Sequence, residues 1–439
     1  YEVPDWVADN AWEVLSSGEH GNYSIFLQGL EIAGYKQMLE GKAILTIIAP
    51  DDDAFQTYLN KRGFTSISDM PVNEVSKLIG YHVLYYSYNK EKLVNFRPTG
   101  STETEEEQNI KAGLYYKHRT RSSDAPTVET TPTGASVMVY HLERYLPIFS
   151  YRYFQTKGID AKNNYEAFYP NSTWTGDDGF NVSNASVKEY GIIANNGYIH
   201  AVDRVVEPLE TIYTELKNKE KYSTFLDLYD SFGVYVADDE LSKSYAKAYG
   251  VDTLYQYQHG GLPNIACEWP TSSYLNFTAL TALSYSIFAP SNTAINSFFD
   301  SFWKIGGYSS MQEVDALALN YFLYQFIYGG SMLFPEELGD DELKNLAGSS
   351  LNINPAALNE KTMCVNGALY GMDEIKEPST FASVIGPLFQ YKSARSFLYA
   401  LLGSSLFSSY VSDLSKYIVL VPTAEQFEAS GIRTVYSTQ

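Results

Sequence analysis

Residues 46–59 read TIIAPDDDAFQTYL. An apolar run of strand type stops at Pro50, three carboxylates follow, and apolar residues then return at helical spacing. Asp51, Asp52 and Asp53 could be metal ligands, an acid/base pair, or the start of a helix. Two other stretches bear on the choice: residues 286–299 read SIFAPSNTAINSFF, and residues 418–430 read IVLVPTAEQFEAS. In each, the run ends on proline (Pro50, Pro290, Pro422) and a short polar residue follows (Asp51, Ser291, Thr423). These residue types share one ability, accepting a hydrogen bond from the free amides of a first helical turn. Calcium needs several oxygen ligands, and the copy at Ser291 has Asn292 and Thr293 where the acids stand. The stretch therefore reads as a repeated strand stop and helix cap. Asp53 and Glu425 suit the positive end of the helix dipole, and Thr423 to Gln426 has capping-box spacing.

Other elements recur in step. Tyr23-Ser24-Ile25-Phe26-Leu27 is matched by Tyr222-Ser223-Thr224-Phe225-Leu226, and more weakly by Ser396-Phe397-Leu398; each reads as an amphipathic helix. Asn196–Pro208, NGYIHAVDRVVEP, aligns without a gap to Asn366–Pro378, NGALYGMDEIKEP. Asn-Gly makes a tight turn, an alternating strand follows, and proline ends it. The repeats divide the chain into a unit at 5–210, a second at 211–378 and a partial third at 379–439. The third has no closing Asn-Gly strand, so the chain is expected to stop within that unit. From Pro50 to Asn196 is 146 positions, against 76 from Pro290 to Asn366, so the first unit carries a long insertion over about 95–180. The second has an extension over about 237–278. Such additions are expected on the surface, carrying the individual function.

The formal charge of −21 opposes binding to nucleic acid or to anionic membrane surfaces. Two cysteines, Cys267 and Cys364, make no metal cluster and are expected to be two buried thiols, with a structural disulfide as the alternative if they meet in space. There is no spanning apolar stretch, so a membrane link is expected only through a lipid anchor upstream of the sequence. With 38 tyrosines in 439 residues, recognition surfaces built from amphipathic rings are a real option, including sugar-facing ones. The acidic run Thr102–Gln108 reads as a solvated loop. Tyr145–Phe154, YLPIFSYRYF, reads either as a strand laid on the core or as an exposed interaction arm.

The motifs TIIAPDDDAF, LIGYHVLYYSY (78–88) and FNVSNASVKEYGIIANNGYIHAVDRVVEP (180–208) together resemble the fasciclin (FAS1) domain family, in its tandem-repeat bacterial surface lipoprotein form. The resemblance implies an α+β fold: tandem domains, each a β-wedge or sandwich of about seven strands flanked by helices. It also implies a non-enzymatic, extracellular or cell-surface protein mediating adhesion or protein–protein assembly. In the family the Tyr-His region is linked to adhesion, which carries over to Tyr81 and His82. Matching YQFIY (324–328) to YHVLY (81–85) puts Gln325 in the place of His82. A second implication is an accessory lipoprotein of an outer-membrane nutrient-uptake system, beside a TonB-dependent transporter, binding glycan, peptide or the transporter itself.

No nucleophile elbow, phosphate loop, dinucleotide fingerprint or HExxH pattern is present, so no catalytic residue, metal site or cofactor is expected. His82, in an apolar setting, also reads as a hydrogen-bonded core residue. The binding candidates are Tyr81, His82, Tyr145, Tyr151, Tyr153, Trp174, Tyr255, Tyr257 and Trp269. The expected partner is another cell-surface or outer-membrane protein, or a glycan.

Overall fold

The computed structural model describes residues 9–96, 116–268, 284–351, 353–411 and 416–433. The acidic run Thr102–Gln108 and Trp269 lie outside the described residues. The first unit contains β1 (Leu45–Pro50), β2 (Val83–Tyr85), β3 (Lys117–Arg119), β4 (Thr127–Thr130), β5 (Ser136–Val139), β6 (Tyr145–Phe149), β7 (Asn181–Val182), β8 (Ala185–Ala194) and β9 (Gly197–Val202). The second contains β10 (Gly233–Ala237), β11 (Tyr255–His259), β12 (Tyr285–Pro290), β13 (Ile327–Gly329), β14 (Leu358–Cys364) and β15 (Gly367–Met372). One seven-stranded sheet has the order β2-β1-β9-β8-β7-β6-β3, and a four-stranded sheet the order β13-β12-β15-β14. The fold is α+β, with one strand arrangement built twice along the chain. Among the described residues, the second unit's own sheet has four strands rather than about seven.

The sequence repeat is a repeat of topology. β1 lies between antiparallel β2 and parallel β9, with Leu45 opposite Gly197 and Pro50 opposite Val202. β12 lies between antiparallel β13 and parallel β15, with Tyr285 opposite Gly367 and Pro290 opposite Met372. Flanked on both sides, β1 is buried along its length, which explains a continuous apolar run instead of an alternating one.

This register corrects the expected place of Gln325. Ile47 faces Val83 and Ile287 faces Ile327, so His82 corresponds to Phe326 and Tyr81 to Gln325. The adjoining bonds agree: Ile48 N–H donates to His82 C=O, and Phe288 N–H to Phe326 C=O, both at 2.9 Å. Matching tyrosine to tyrosine shifted the alignment by one residue; backbone pairing sets it.

The acids of the opening stretch cap helices. The Asp51 carboxylate accepts from Ala54 N–H at 2.9 Å, Ser291 Oγ from Ala294 N–H at 3.3 Å, and Thr423 Oγ1 from Gln426 N–H at 3.2 Å. Asp52 caps a different helix, Ser24–Ile32, accepting from Ser24 Oγ at 2.6 Å and Ile25 N–H at 2.8 Å. Asn292 does the same for Ser223–Asp230, through Thr224 N–H at 2.9 Å. Each cap is worth about 1 kcal/mol.

The Asn-Gly turn is a second shared device. Asn196 Oδ1 accepts from Ala11 N–H at 3.0 Å, and its amide donates to Leu39 and Gly41 carbonyls at 2.7 and 3.1 Å. Asn366 repeats this with Ile212 N–H at 2.9 Å and the Ile265 and Cys267 carbonyls at 2.8 and 3.0 Å. A Cβ on Gly197 or Gly367 would stand 1.8 Å from the carbonyl oxygen of Leu45 or Tyr285, so neither position admits a side chain.

The first unit's insertion is not a free arm. β6 is buried throughout and pairs with β3 and β7. Helices Tyr151–Lys157 and Ala161–Phe168 share one apolar cluster with the second unit. Phe154 and Phe168 meet Phe334 with centroids 4.9 and 5.6 Å apart, and Phe168 meets Tyr370 at 5.8 Å. A half-buried Lys157–Glu337 pair at 2.7 Å and an Asn164–Glu336 bond at 2.6 Å border this contact. Tyr153 and Phe154 are aromatic because they cement two units together.

A further sheet is built jointly. The β4–β5 hairpin of the insertion and the β10–β11 hairpin of the extension join in the order β10-β11-β5-β4. They meet where Tyr255 faces Val139, and Tyr140 N–H donates to Tyr255 C=O at 3.0 Å. Cys267 and Cys364 are both free and buried.

In the residues after 378, the helices Arg395–Leu402 and Ala424–Ala429 form, but the run at 418–421 is not a strand. Ile418 and Leu420 are 93% and 85% exposed, whereas Ile47, Ile48, Ile287 and Phe288 are fully buried. In the two units this strand is held between an antiparallel neighbour and the Asn-Gly-led strand; among the described residues 416–433 no strand is formed.

Candidate binding cleft

The two hairpins of the joint sheet pair at a single position, Tyr255 opposite Val139. Tyr235 on β10 also links them, donating to Glu129 Oε2 on β4 at 2.8 Å. Beneath them lies a cavity of about 380 Å³, with Tyr213, Tyr235, Tyr257, Glu129, His141 and Glu268 among its lining residues. Alternation on the strands directs Tyr235 and Tyr257, which are cross-strand partners, to this side. Their rings sit 5.0 Å apart.

On one wall the tyrosine hydroxyls are held by a single carboxylate set behind them. Asp230 accepts from Tyr257 Oη at 2.8 Å and Tyr213 Oη at 3.1 Å, and lies 3.0 Å from His259 Nε2. Burial, and then the Asp230 charge, raise the Tyr257 hydroxyl far above its ordinary range, so it stays a donor. The Tyr235 hydroxyl is pushed up to about 12 by burial and by Glu129.

The opposite wall carries charge pairs. Arg144 is buried, bonded to Asp124 and to the Leu209 carbonyl, and 2.9 Å from Glu210. Lys77 reaches Asp124 at 2.7 Å and Glu210 at 3.2 Å. Burial works to raise Asp124, but Arg144 and Lys77 outweigh it and hold the acid at about 2. Burial also works against a charged His141, yet buried Glu268 at 3.3 Å raises its pKa on balance. Arg144 belongs to the insertion and Glu210 to the link between units, so this network locks the joint as it lines the cleft. What remains for a ligand is aromatic surface, the acceptor lone pairs of the engaged tyrosine hydroxyls, and Lys217. Those groups suit stacking and hydrogen bonding with an uncharged polar molecule.

The candidates from the sequence fall into three groups. Tyr81, His82, Tyr145 and Tyr153 are buried, which removes them as contact residues. Tyr81 Oη donates to the Tyr145 carbonyl at 2.7 Å. His82 Nδ1 lies 2.9 Å from the Leu78 carbonyl, and its Nε2 accepts from Val206 N–H at 3.0 Å. Burial depresses its pKa to about 4, so the ring is a neutral brace. Trp174 packs on Phe154 and Tyr165 and donates to Asp177 at 2.9 Å. Tyr151 is exposed on the helix Tyr151–Lys157. Tyr257 lines the cleft and Tyr255 sits at the hairpin junction. Sequence reasoning missed Tyr213, Tyr235, Glu129 and His141. The alternation in Gly233–Ala237 was a usable signal for Tyr235, but nothing in sequence brings Glu129 to a tyrosine a hundred residues away.

Among the described residues no group of His, Cys, Asp and Glu side chains is arranged to hold a metal ion. No described helix is long and apolar enough to cross a membrane. Residues 21–147 match the family model of the Fasciclin domain. No curated protein matches the chain. Among solved structures, the chain is similar to a FAS1 domain pair from the insect cell adhesion molecule fasciclin I. Identity is 12%, the alignment covers 82% of this chain and 98% of that one, and the TM-score is 0.25.

Proposed function

We propose that this Fasciclin-domain protein is a non-enzymatic cell-surface protein that works by adhesion or protein–protein assembly, with the joint sheet as its contact surface. The observation carrying this reading is that the edge strands β4 and β10 have no further strand paired to them among the described residues and bear exposed apolar side chains. Val128 on β4 is 67% exposed, and Val234 and Val236 on β10 are 43% and 39% exposed. Open edges accept a strand from a partner, with backbone bonds giving affinity and side-chain pockets giving selectivity. The Fasciclin match supports a role of this class. Beads coated with the chain should aggregate or attach to cells. V128K combined with V234K should abolish attachment while leaving the circular dichroism unchanged. Attachment that survives both lysines removes the joint sheet from the reading.

The cleft favours a second reading, an accessory surface lipoprotein of an outer-membrane uptake system that binds glycan. Tyr213, Tyr235 and Tyr257 offer ring faces and hydroxyls in a space that holds a sugar unit. Retention on a glycan array that is lost in Tyr257→Ala supports it, and so does co-purification with a TonB-dependent transporter.

A further inference from the structure

The two units give an internal comparison: one scaffold, closed in the first copy and open in the second. In the first, the segment after β9 folds onto the end of the helix Val72–Gly80. Val206 N–H donates to His82 Nε2, and Val205 and Val206 are buried. Tyr81 fills the adjoining space and is fully buried.

In the second, the sequence removes each part of that closure. Phe326 replaces His82 and offers no acceptor, Gln325 replaces Tyr81 and is smaller, and Lys376 replaces Val206. Phe326 keeps the packing of His82, edge-on to Phe225 at 6.2 Å as His82 is to Phe26 at 5.8 Å. Only the tie to the following segment is lost. Lys376 is exposed and Ile375 half-buried, and a cavity of about 470 Å³ opens between Gln325 and residues 373–379.

Its floor is apolar: Phe326, Leu351 and Met372, with Pro378 on the wall. One polar pair is set into it. Gln325 Nε2 donates to Tyr321 C=O at 3.2 Å, and its Oε1 accepts from Asn345 Nδ2 at 3.3 Å. A carbonyl oxygen has two lone pairs, so Oε1 can take a second donor. The rim carries Glu374 and Glu377 against Lys376, and Asp373 is paired with Lys221 at 2.9 Å. The rim is thus net acidic, on a chain of charge −21.

We infer that the second unit carries a ligand site between Gln325 and the 373–379 segment, for a small neutral or cationic molecule with an apolar body and a hydrogen-bond donor. The size of the cavity lies in the range of small-molecule pockets, and the acidic rim excludes anions.

Two dyes sharing one ring system test this on the full chain. N-phenyl-1-naphthylamine is neutral and has an N–H donor; 1-anilinonaphthalene-8-sulfonate adds an anionic group. Fluorescence titration should give saturable binding of the first and at least about ten-fold weaker binding of the second. Gln325→Tyr restores the first unit's side chain and fills the floor; Ala357→Trp plugs the mouth from an exposed position. Each should weaken the neutral dye at least about ten-fold with unchanged circular dichroism. If Gln325→Tyr does not fold, Ala357→Trp decides. No saturable binding, equal affinity for the two dyes, or wild-type affinity in the folded variants overturns the site.

Discussion

Mild acid should unfold the first unit, through histidines that cannot be protonated where they stand. His82, His118 and His200 are all buried in that unit, and burial depresses each to about 4. A histidine in the unfolded chain titrates near 6.5, so the unfolded state binds more protons between about pH 6.5 and 4. Stability is therefore full above pH 6.5 and falls as pH drops through that window. At pH 5 each ring has lost about 2 kcal/mol, and the three together about 6 kcal/mol, a large part of an ordinary domain's stability. Other groups do not reverse this. Asp124, held at about 2, loses its contribution only below the window. His141, with a raised pKa, gives its full contribution at and below pH 6.5. Glu215, raised by burial, acts in the opposite sense at the acid end. The assay is urea unfolding at pH 7 and pH 5, for the wild type and His82→Gln. Glutamine can donate to Leu78 C=O and accept from Val206 N–H without titrating. It should keep most stability at pH 7 and reduce the loss at pH 5 by about 2 kcal/mol. An unchanged pH dependence in His82→Gln refutes the account of His82 as a neutral brace.

Two further outcomes follow from the repeated devices. Asn366→Ala strands one buried amide N–H and two carbonyls, and should cost about 3–5 kcal/mol by chemical denaturation, with Asn196→Ala costing a similar amount. Asp52→Ala should lower stability by about 1–2 kcal/mol, more than Asp53→Ala, and millimolar calcium should leave the melting temperature of the wild type unmoved. A calcium shift that disappears in Asp52→Asn returns the acids to metal chemistry.

The scaffold was legible where the chain repeats itself. The Pro-cap stretches and the Asn-Gly strands are local signals, and comparing copies turned three acids from possible chemistry into caps. The insertion was misjudged because its partners are distant: Phe154 and Phe168 are explained by Phe334 and Tyr370, residues that no spacing rule connects to them. The same limit hid the cleft, where Tyr235 meets Glu129 across the joint. The one-residue misplacement of Gln325 has a simpler origin. Side-chain identity suggested a match, while the pairing of Ile287 with Ile327, which sequence does not display, decided it. Tyr81 and His82 drew attention as a motif, and their burial makes that motif part of the fold's bracing.

The jointly built sheet limits how such a chain can be recombined. By its repeats it reads as units in series, each free to be shuffled or lost. Yet β5 completes its ladder on β11, and the insertion's helices fill the second unit's core. A transplant of either hairpin alone would leave an unmatched edge, and severing the chain near residue 210 would leave both halves holding pieces of the other. Insertion and extension are one structural part written in two places.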